Sequence, residues 1–405
     1  MTLQDIDLMD PRAFRAGVPY DHFRRLRRQE GLPVGYDTDG ERLRYVVRHR
    51  DVARISRDTA LWSSSPTTMT SVRKQENQEA PIITFMDGAG HTRLRKLMFK
   101  AFTPARLAAL AVPIGRIVDS LLDEAMAKGE FDLAEDIALR LPLQVLAELL
   151  GVPAADREMV LGWARRTVNM GDPEYETGPD GPSADVVQRL LEYFRSLVAH
   201  RVREPADDLF SVLLAARLKD GRLGLPERLD PEEIAVFATT LITAGSETTY
   251  AGVSGAVQAL LEFPAELERL CRDPGLIPGA VDEVLRWVTP VTHFARRATR
   301  DTEIAGRAIS AGERVVMWYS SANRDEEVFK EPDRFDVTRS PNPHLTFGGG
   351  GPHYCIGNGL AAMEIGRFLS SAVSLLPRLE ISGPVTRPET NFMNSVKHLP
   401  MRRRS

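Results

Sequence analysis

Cys355 sits in the run Phe347-Gly348-Gly349-Gly350-Gly351-Pro352-His353-Tyr354-Cys355-Ile356-Gly357, directly before an apolar helical stretch from Leu360 to Leu376. Four consecutive glycines let backbone pass close to a bulky group and adopt φ > 0. Free N–H groups and the helix dipole favour a thiolate at the mouth of a helix. A soft thiolate in a glycine-lined, apolar setting suits haem iron. The same residues also fit a buried structural cysteine in a glycine-rich turn. A phosphate loop would require Lys-Ser/Thr after the glycines, which this run lacks.

A second cluster, Ala244-Gly245-Ser246-Glu247-Thr248-Thr249, interrupts the longest apolar helical pattern, Pro231 to Glu262. Asp230, Pro231 and Glu233 form a capping-box-like start. The helix would run about 48 Å and, being so apolar, must cross the middle of the protein. Glycine, an acid and two hydroxyls are costly there unless paired. One reading is a local opening of the helix ladder, where Thr248 and a water hold a substrate. The other is a polar stripe facing solvent or a neighbouring helix.

The elements that must position these residues are mostly helical. Apolar residues at i, i+3, i+4 predict helices over Tyr20–Gln29, Arg50–Arg57, His91–Phe102, Pro104–Ala127, Leu141–Leu150, Ala154–Met170, Ala184–Arg203, Leu209–Leu218, Ala265–Arg272 and Gly275–Thr289, besides the two above. Strand signals are confined to Leu43–Val47, Thr302–Ile304, Arg307–Ile309 and Arg314–Tyr319. The expected fold class is mostly α with small β-sheets, as a single domain over residues 1–405.

The 405 residues are 43% hydrophobic and 27% charged with net charge −4, a soluble globular composition that argues against a nucleic-acid partner. Two cysteines, Cys271 and Cys355, exclude a disulfide framework and point to a reducing, cytoplasmic setting. No stretch reaches 18 uncharged apolar residues, so no membrane anchor is expected, and the acidic N-terminus does not read as a signal peptide. Arg402-Arg403-Arg404 reads as a solvated tail.

With the Cys355 loop, the Ala244–Thr249 segment and Glu283-Val284-Leu285-Arg286 in this order, the chain resembles the cytochrome P450 family of haem-thiolate monooxygenases. Glu-x-x-Arg alone carries little weight. It recurs at Glu41/Arg44, Glu192/Arg195, Glu266/Arg269, Glu331/Arg334 and Glu364/Arg367. Glu283/Arg286 stands out by its place after the long helix and 72 residues before Cys355. The resemblance implies a buried Glu283–Arg286–Arg334 network bracing the haem loop. It implies haem b ligated through iron by Cys355, with His91, Arg95, Arg296 and His353 holding the propionates. Ala244, Phe347, Gly348 and Gly357 would lie against the cofactor. Phe347 lies eight residues before Cys355, one more than the family's commonest spacing.

By the same resemblance, Glu247 and Thr248 guide protons during oxygen activation. Phe85, Phe237, Thr240, Leu241, Ala244, Val291, Phe294 and Val396 map to the substrate pocket, an apolar set that favours a hydrophobic small molecule. No nucleotide fingerprint or appended redox domain is evident, which implies ferredoxin and ferredoxin reductase as electron donors to a monomer. Arg93, Lys96, Lys100 and Arg106 are a candidate basic patch for such a carrier, or an ordinary solvated face. Trp62–Phe85 and Asp172–Pro182 read as lids. The Asn391–Pro400 tail is similar to those of lipid- and sterol-oxidising bacterial members. Competing readings are a haem peroxygenase, a non-catalytic or gas-sensing haem protein, and a haem-thiolate enzyme doing coupling, epoxidation or ring formation.

Overall fold

A computed structural model of the chain describes residues 6–37, 39–70, 82–167, 172, 174, 183–218 and 224–404. Helices α1 Tyr20–Arg28, α2 His49–Arg57, α3 Gly88–Met98, α4 Pro104–Lys128, α5 Arg140–Leu149, α6 Arg157–Thr167, α7 Ser183–Arg203 and α8 Leu209–Ala215 precede the long helix α9, Pro231–Glu262. Then follow α10 Pro264–Arg272, α11 Ile277–Val288, the short α12 Tyr319–Ala322 and α13 Asn358–Ala372. The mostly helical expectation holds, and α9 has the expected bounds.

Its start is also as expected. The Asp230 carboxylate accepts from the Glu233 N–H (2.7 Å), and the Glu233 carboxylate accepts from the Asp230 N–H (3.0 Å). Helix α9 packs against α5, α7, α11 and α13, so its apolar residues join nearly every helix of the main core. The polar stretch does not open it. Hydroxyls of Thr239, Thr240, Thr243, Ser246, Thr248 and Ser254 donate to carbonyls one turn back, and the helix runs unbroken. Such back-bonding satisfies a buried hydroxyl without a break in the ladder.

Beside the helices lies a five-stranded sheet ordered β1 (Val34–Tyr36), β2 (Arg42–Val46), β8 (Arg314–Trp318), β5 (His293–Ala298), β3 (Trp62–Ser63). Strands β2 and β8 are parallel; the other pairs are antiparallel. Alternation on β8 separates two smaller cores. Val315 and Met317 face α2 residues Val52 and Ile55, while Val316 and Trp318 face Phe14, Phe23 and Leu26. Strand β5 escaped the sequence reading because Arg296-Arg297 hides its alternation.

The remaining strands form a hairpin of β6 (Thr302–Ile304) with β7 (Arg307–Ile309), and a three-stranded sheet of β4 (Glu130–Asp132), β10 (Pro400–Arg403) and β9 (Leu379–Ile381). The C-terminal arginines are solvated as expected but are largely strand and not a free tail: all three are exposed, while Arg402 pairs with Glu380 (2.7 Å) and Arg403 donates to the Met126 carbonyl (2.9 Å). Among the described residues, no helix is long and apolar enough to cross a membrane.

Candidate active site

The Cys355 loop leaves the sheet region after Leu345 and enters α13, whose N-cap is Gly357. Gly348, Gly350 and Gly351 have φ of 93°, 92° and 82°, a region that strains other residues. The bulky neighbour at two of the four glycines is protein. A Cβ on Gly349 would fall 2.7 Å from the Ala53 Cα, and one on Gly351 2.6 Å from the Ser56 carbonyl oxygen. The extra loop residue is thus accommodated by backbone packed onto α2, with Arg57 donating to the Gly349 carbonyl (2.9 Å). The Phe347 carbonyl accepts from the Cys355 N–H (2.9 Å), closing the loop. The Phe347 ring lies edge-on to Tyr354, with centroids 6.2 Å apart.

Cys355 remains accessible, yet it is deeply set. Burial pushes its thiol up, against the N–H groups of Gly357 and Asn358 and the Arg95 charge, which pull it down. The donors expected from the sequence are present, but burial outweighs them. A coordinated metal cation would reverse that balance by deprotonating the thiol.

Four basic side chains converge beside this loop. His91 on α3 is buried, and its ring lies 4.1 Å from that of His353. Its pKa is lowered to about 4 by burial and by the positive charges of His353, Arg95 and Arg296. Arg95, one turn on, donates to the Tyr354 carbonyl. Arg296 on β5 is 5% exposed, and among the described residues its side chain donates to the adjacent Ala295 carbonyl (2.8 Å). No carboxylate pairs with His91, Arg95 or Arg296 among the described residues. A buried guanidinium in that condition is costly unless an anion joins it. His353 instead meets Asp87 (3.2 Å) and the Ser64 hydroxyl (3.1 Å). Burial opposes the Asp87 charge, but hydrogen bonds from His353, Ser63 and Ser64 outweigh it and hold this carboxyl below the usual range. Asp87 gave no sequence signal beyond standing four residues before His91.

Along the Ala244–Thr248 stretch, α9 changes character. Ala244 is exposed and Gly245, Glu247 and Thr248 are half-buried, in a helix otherwise largely buried. No atom lies within 4 Å of where a Cβ on Gly357 would be. An accessible thiol, the buried Arg296 and half-buried Arg95 without a carboxylate, the neutral His91 as a hydrogen-bond donor and this open glycine face fit a flat, dianionic, iron-bearing group such as haem b.

Of the mapped pocket residues, Phe85, Thr240, Ala244, Val291 and Phe294 keep accessible surface. Phe237, Leu241 and Val396 do not; they lie in the main core, with Phe237 edge-on to Phe102 (6.3 Å). Phe392, which the sequence reading passed over, stands half-buried 5.5 Å from Phe294. For the lids, Trp62 and Thr70 are buried and 71–81 lie outside the described residues. Asp172 pairs with Lys397 (2.9 Å), and Glu174 with Lys397 (2.8 Å) and His398 (3.0 Å). Residues 173 and 175–182 lie outside the description.

Behind the loop, Glu283 and Arg286 form a fully buried ion pair (2.8 Å). The third member differs from expectation. The Arg334 side chain is half exposed and reaches Glu331 at 3.7 Å; only its carbonyl accepts from Arg286 (3.1 Å). Arg339 takes the place, donating to Glu283 at 3.0 Å. The reason is local geometry: the backbone after Phe335 turns back, so the Asp336 N–H also reaches Glu283 (2.8 Å) and Arg339 follows it inward. Asn323, another residue missed, receives the Leu345 N–H (2.7 Å) and donates to Thr346 (3.0 Å), while its carbonyl accepts from Arg286 (3.0 Å). Thr346 in turn donates to the Leu285 carbonyl (2.8 Å). The network therefore grips the residues just before Phe347. Arg93 leaves the expected basic patch: it is buried and paired with Glu233 (2.6 Å). Lys96, Lys100 and Arg106 are exposed.

A family model described as Cytochrome P450 matches residues 276–400. A steroid C26-monooxygenase of Mycolicibacterium smegmatis is 34% identical over 406 residues, covering 97% of this chain and 92% of that protein. A putative cytochrome P450 of Mycobacterium tuberculosis is 33% identical, covering 98% and 97%. Among solved structures, a Mycobacterium marinum cytochrome P450 in complex with pseudoionone superposes with a TM-score of 0.87 at 33% identity, covering 99% of this chain and 100% of that one. A Bacillus megaterium relative in complex with testosterone superposes at 0.82 with 30% identity, covering 96% and 100%. The chain belongs to the cytochrome P450 family. It is a haem b-dependent monooxygenase acting on a hydrophobic substrate.

Proposed function

We propose that this protein hydroxylates an apolar lipid of sterol or isoprenoid size. In this reading Cys355 would hold the haem iron through its thiolate. His91, Arg95 and Arg296 hold the haem carboxylates, and His353 orders the rim through Asp87. Bound at this site, haem supplies oxygen activation driven by the thiolate's electron donation. Ala244 and Phe347 flank the cofactor, and Gly348 and Gly357 let it approach.

The protein's own part is positioning and proton handling. The Thr248 hydroxyl, now donating to the Ala244 carbonyl at 3.0 Å, can turn to hold a proton beside the cofactor. Glu247 beside it supplies a titratable group to the same path. The wall of Phe85, Val291, Phe294 and Phe392 excludes water and orients the substrate. Ferredoxin and its reductase deliver electrons, with Lys96, Lys100 and Arg106 offering charge to an acidic carrier. One domain over residues 1–405, acting as a cytoplasmic monomer, completes the reading.

One observation carries it: the buried Arg296 and half-buried Arg95, with no carboxylate partner among the described residues, stand beside an accessible thiol. Titration of the purified holoprotein with sterols, terpenes, fatty acids and aromatics tests the substrate class. A low-to-high-spin Soret shift with sterols or isoprenoids is expected, and a shift with simple aromatics alone overturns it. Cys355→Ala should abolish the thiolate-type carbonyl spectrum; its survival refutes the ligand.

A further inference from the structure

His293 on β5 is fully buried, yet both ring nitrogens are engaged. Nδ1 lies 2.9 Å from the Thr292 hydroxyl and Nε2 2.9 Å from the Thr70 hydroxyl. The Thr292 hydroxyl spends its proton on the carbonyls of Asn391 and Phe392. It can therefore only accept from His293, which places the imidazole proton on Nδ1 and makes Thr70 the donor to Nε2. Burial keeps the ring neutral, with its pKa lowered to about 3.

One imidazole thus ties together three segments: the stretch ending at Thr70, strand β5, and the Asn391–Phe392 turn. Backbone bonds run along the same seam, from the Ala295 N–H to the Thr68 carbonyl (2.7 Å) and from the Thr292 N–H to the Phe392 carbonyl (2.9 Å). The ring packs tilted against Trp318 (4.4 Å) and meets the edge of Phe392 (5.7 Å). Phe392 in turn packs on Phe294, two residues from Arg296 and on the same face of β5. The phenyl pair therefore stands one strand step from the cation cluster.

We infer that His293, through Thr70, is a positioning residue that sets the depth of the substrate pocket by holding the Phe294–Phe392 wall. The inference rests on the distal-pocket reading above but not on the substrate's identity. Without the Thr70 hydroxyl, Nε2 becomes a buried acceptor lacking a partner, and the Phe392 side of the seam loosens. A short ligand never reaches that wall; a long one leans on it.

The test titrates holoprotein with imidazole, 4-phenylimidazole and clotrimazole, nitrogen ligands of increasing reach, followed by their Soret shift. In Thr70→Val the imidazole dissociation constant should stay within about twofold, while that of clotrimazole changes about 3- to 10-fold, as expected for one lost neutral hydrogen bond. Thr70→Ser should restore it. Equal changes for all three ligands, no change for any, or failure of the serine variant to restore would overturn the inference. Should Thr70→Val not fold, Phe392→Leu, which leaves the hydrogen bonds alone, must reproduce the clotrimazole-specific change; its absence also overturns the inference. A wild-type protein that binds the azoles but shifts with no sterol or isoprenoid refutes the substrate class alone and leaves the wall assignment standing.

Discussion

Glu283 on α11 and Glu364 on α13 are both buried, both begin a Glu-x-x-Arg motif, and sit on helices that pack against each other. Their fates diverge. Arg286 turns inward onto Glu283, and Arg339, Asn342 and the Asp336 N–H complete its shell. Arg367 turns outward to Asp119 (2.6 Å), and Glu364 is left with an oxygen that has no partner among the described residues. Burial alone pushes the Glu364 carboxyl up to about 8, whereas Glu283 is embedded in two guanidinium groups. One motif therefore yields an ion pair in one place and a neutral buried acid in the other. The number of donors around the carboxylate decides which.

Breaking the paired side should have the largest effect. Glu283→Ala strands two buried guanidinium groups and should cost about 3–5 kcal/mol by denaturant unfolding, with weakened haem retention. Arg339→Ala should cost about 2 kcal/mol, because Arg286 still answers Glu283; a neutral result would return the third position to another residue.

The lone acid predicts the opposite sign. Its folded-state value is raised from 4.5 to about 8, so the unfolded chain ionises first. Stability that is whole below pH 4.5 is lost as pH rises towards 8. Glu364→Gln keeps the shape and removes the titration. It should stabilise the protein by on the order of 2 kcal/mol at pH 8 and flatten the decline of melting temperature across that window. A destabilised variant would show that the carboxyl has a partner. The smallest effect belongs to Arg334→Ala, whose exposed side chain should contribute less than about 0.5 kcal/mol.

The same contrast marks how much was legible beforehand. Helix α9, its capping box, the Cys355 loop and the His91/Arg95 pair could be read directly, since spacing along one element places their side chains. Arg339, Asn323, Asp87 and Phe392 could not. Each acquires its role from a partner far away in sequence: Arg339 and Asn323 from α11, Asp87 from His353, Phe392 from β5. Phe237, Leu241 and Val396 lie in the main core, a place the sequence did not distinguish, because apolar residues suit a pocket wall and a closed core equally well.

The sequence by itself determined the helical frame, the thiol, the glycine-rich loop and the hydroxyl–acid pair on the central helix. These follow from local periodicity, caps and backbone freedom, which are encoded within a few residues. Tertiary structure alone decided which arginine completes the Glu283 pair, which acid remains unpaired and why two glycines yield to α2. It also decided which aromatics keep accessible surface. Long-range packing sets burial and donor count, and those quantities determine whether a charge is held, neutralised or left waiting for a ligand.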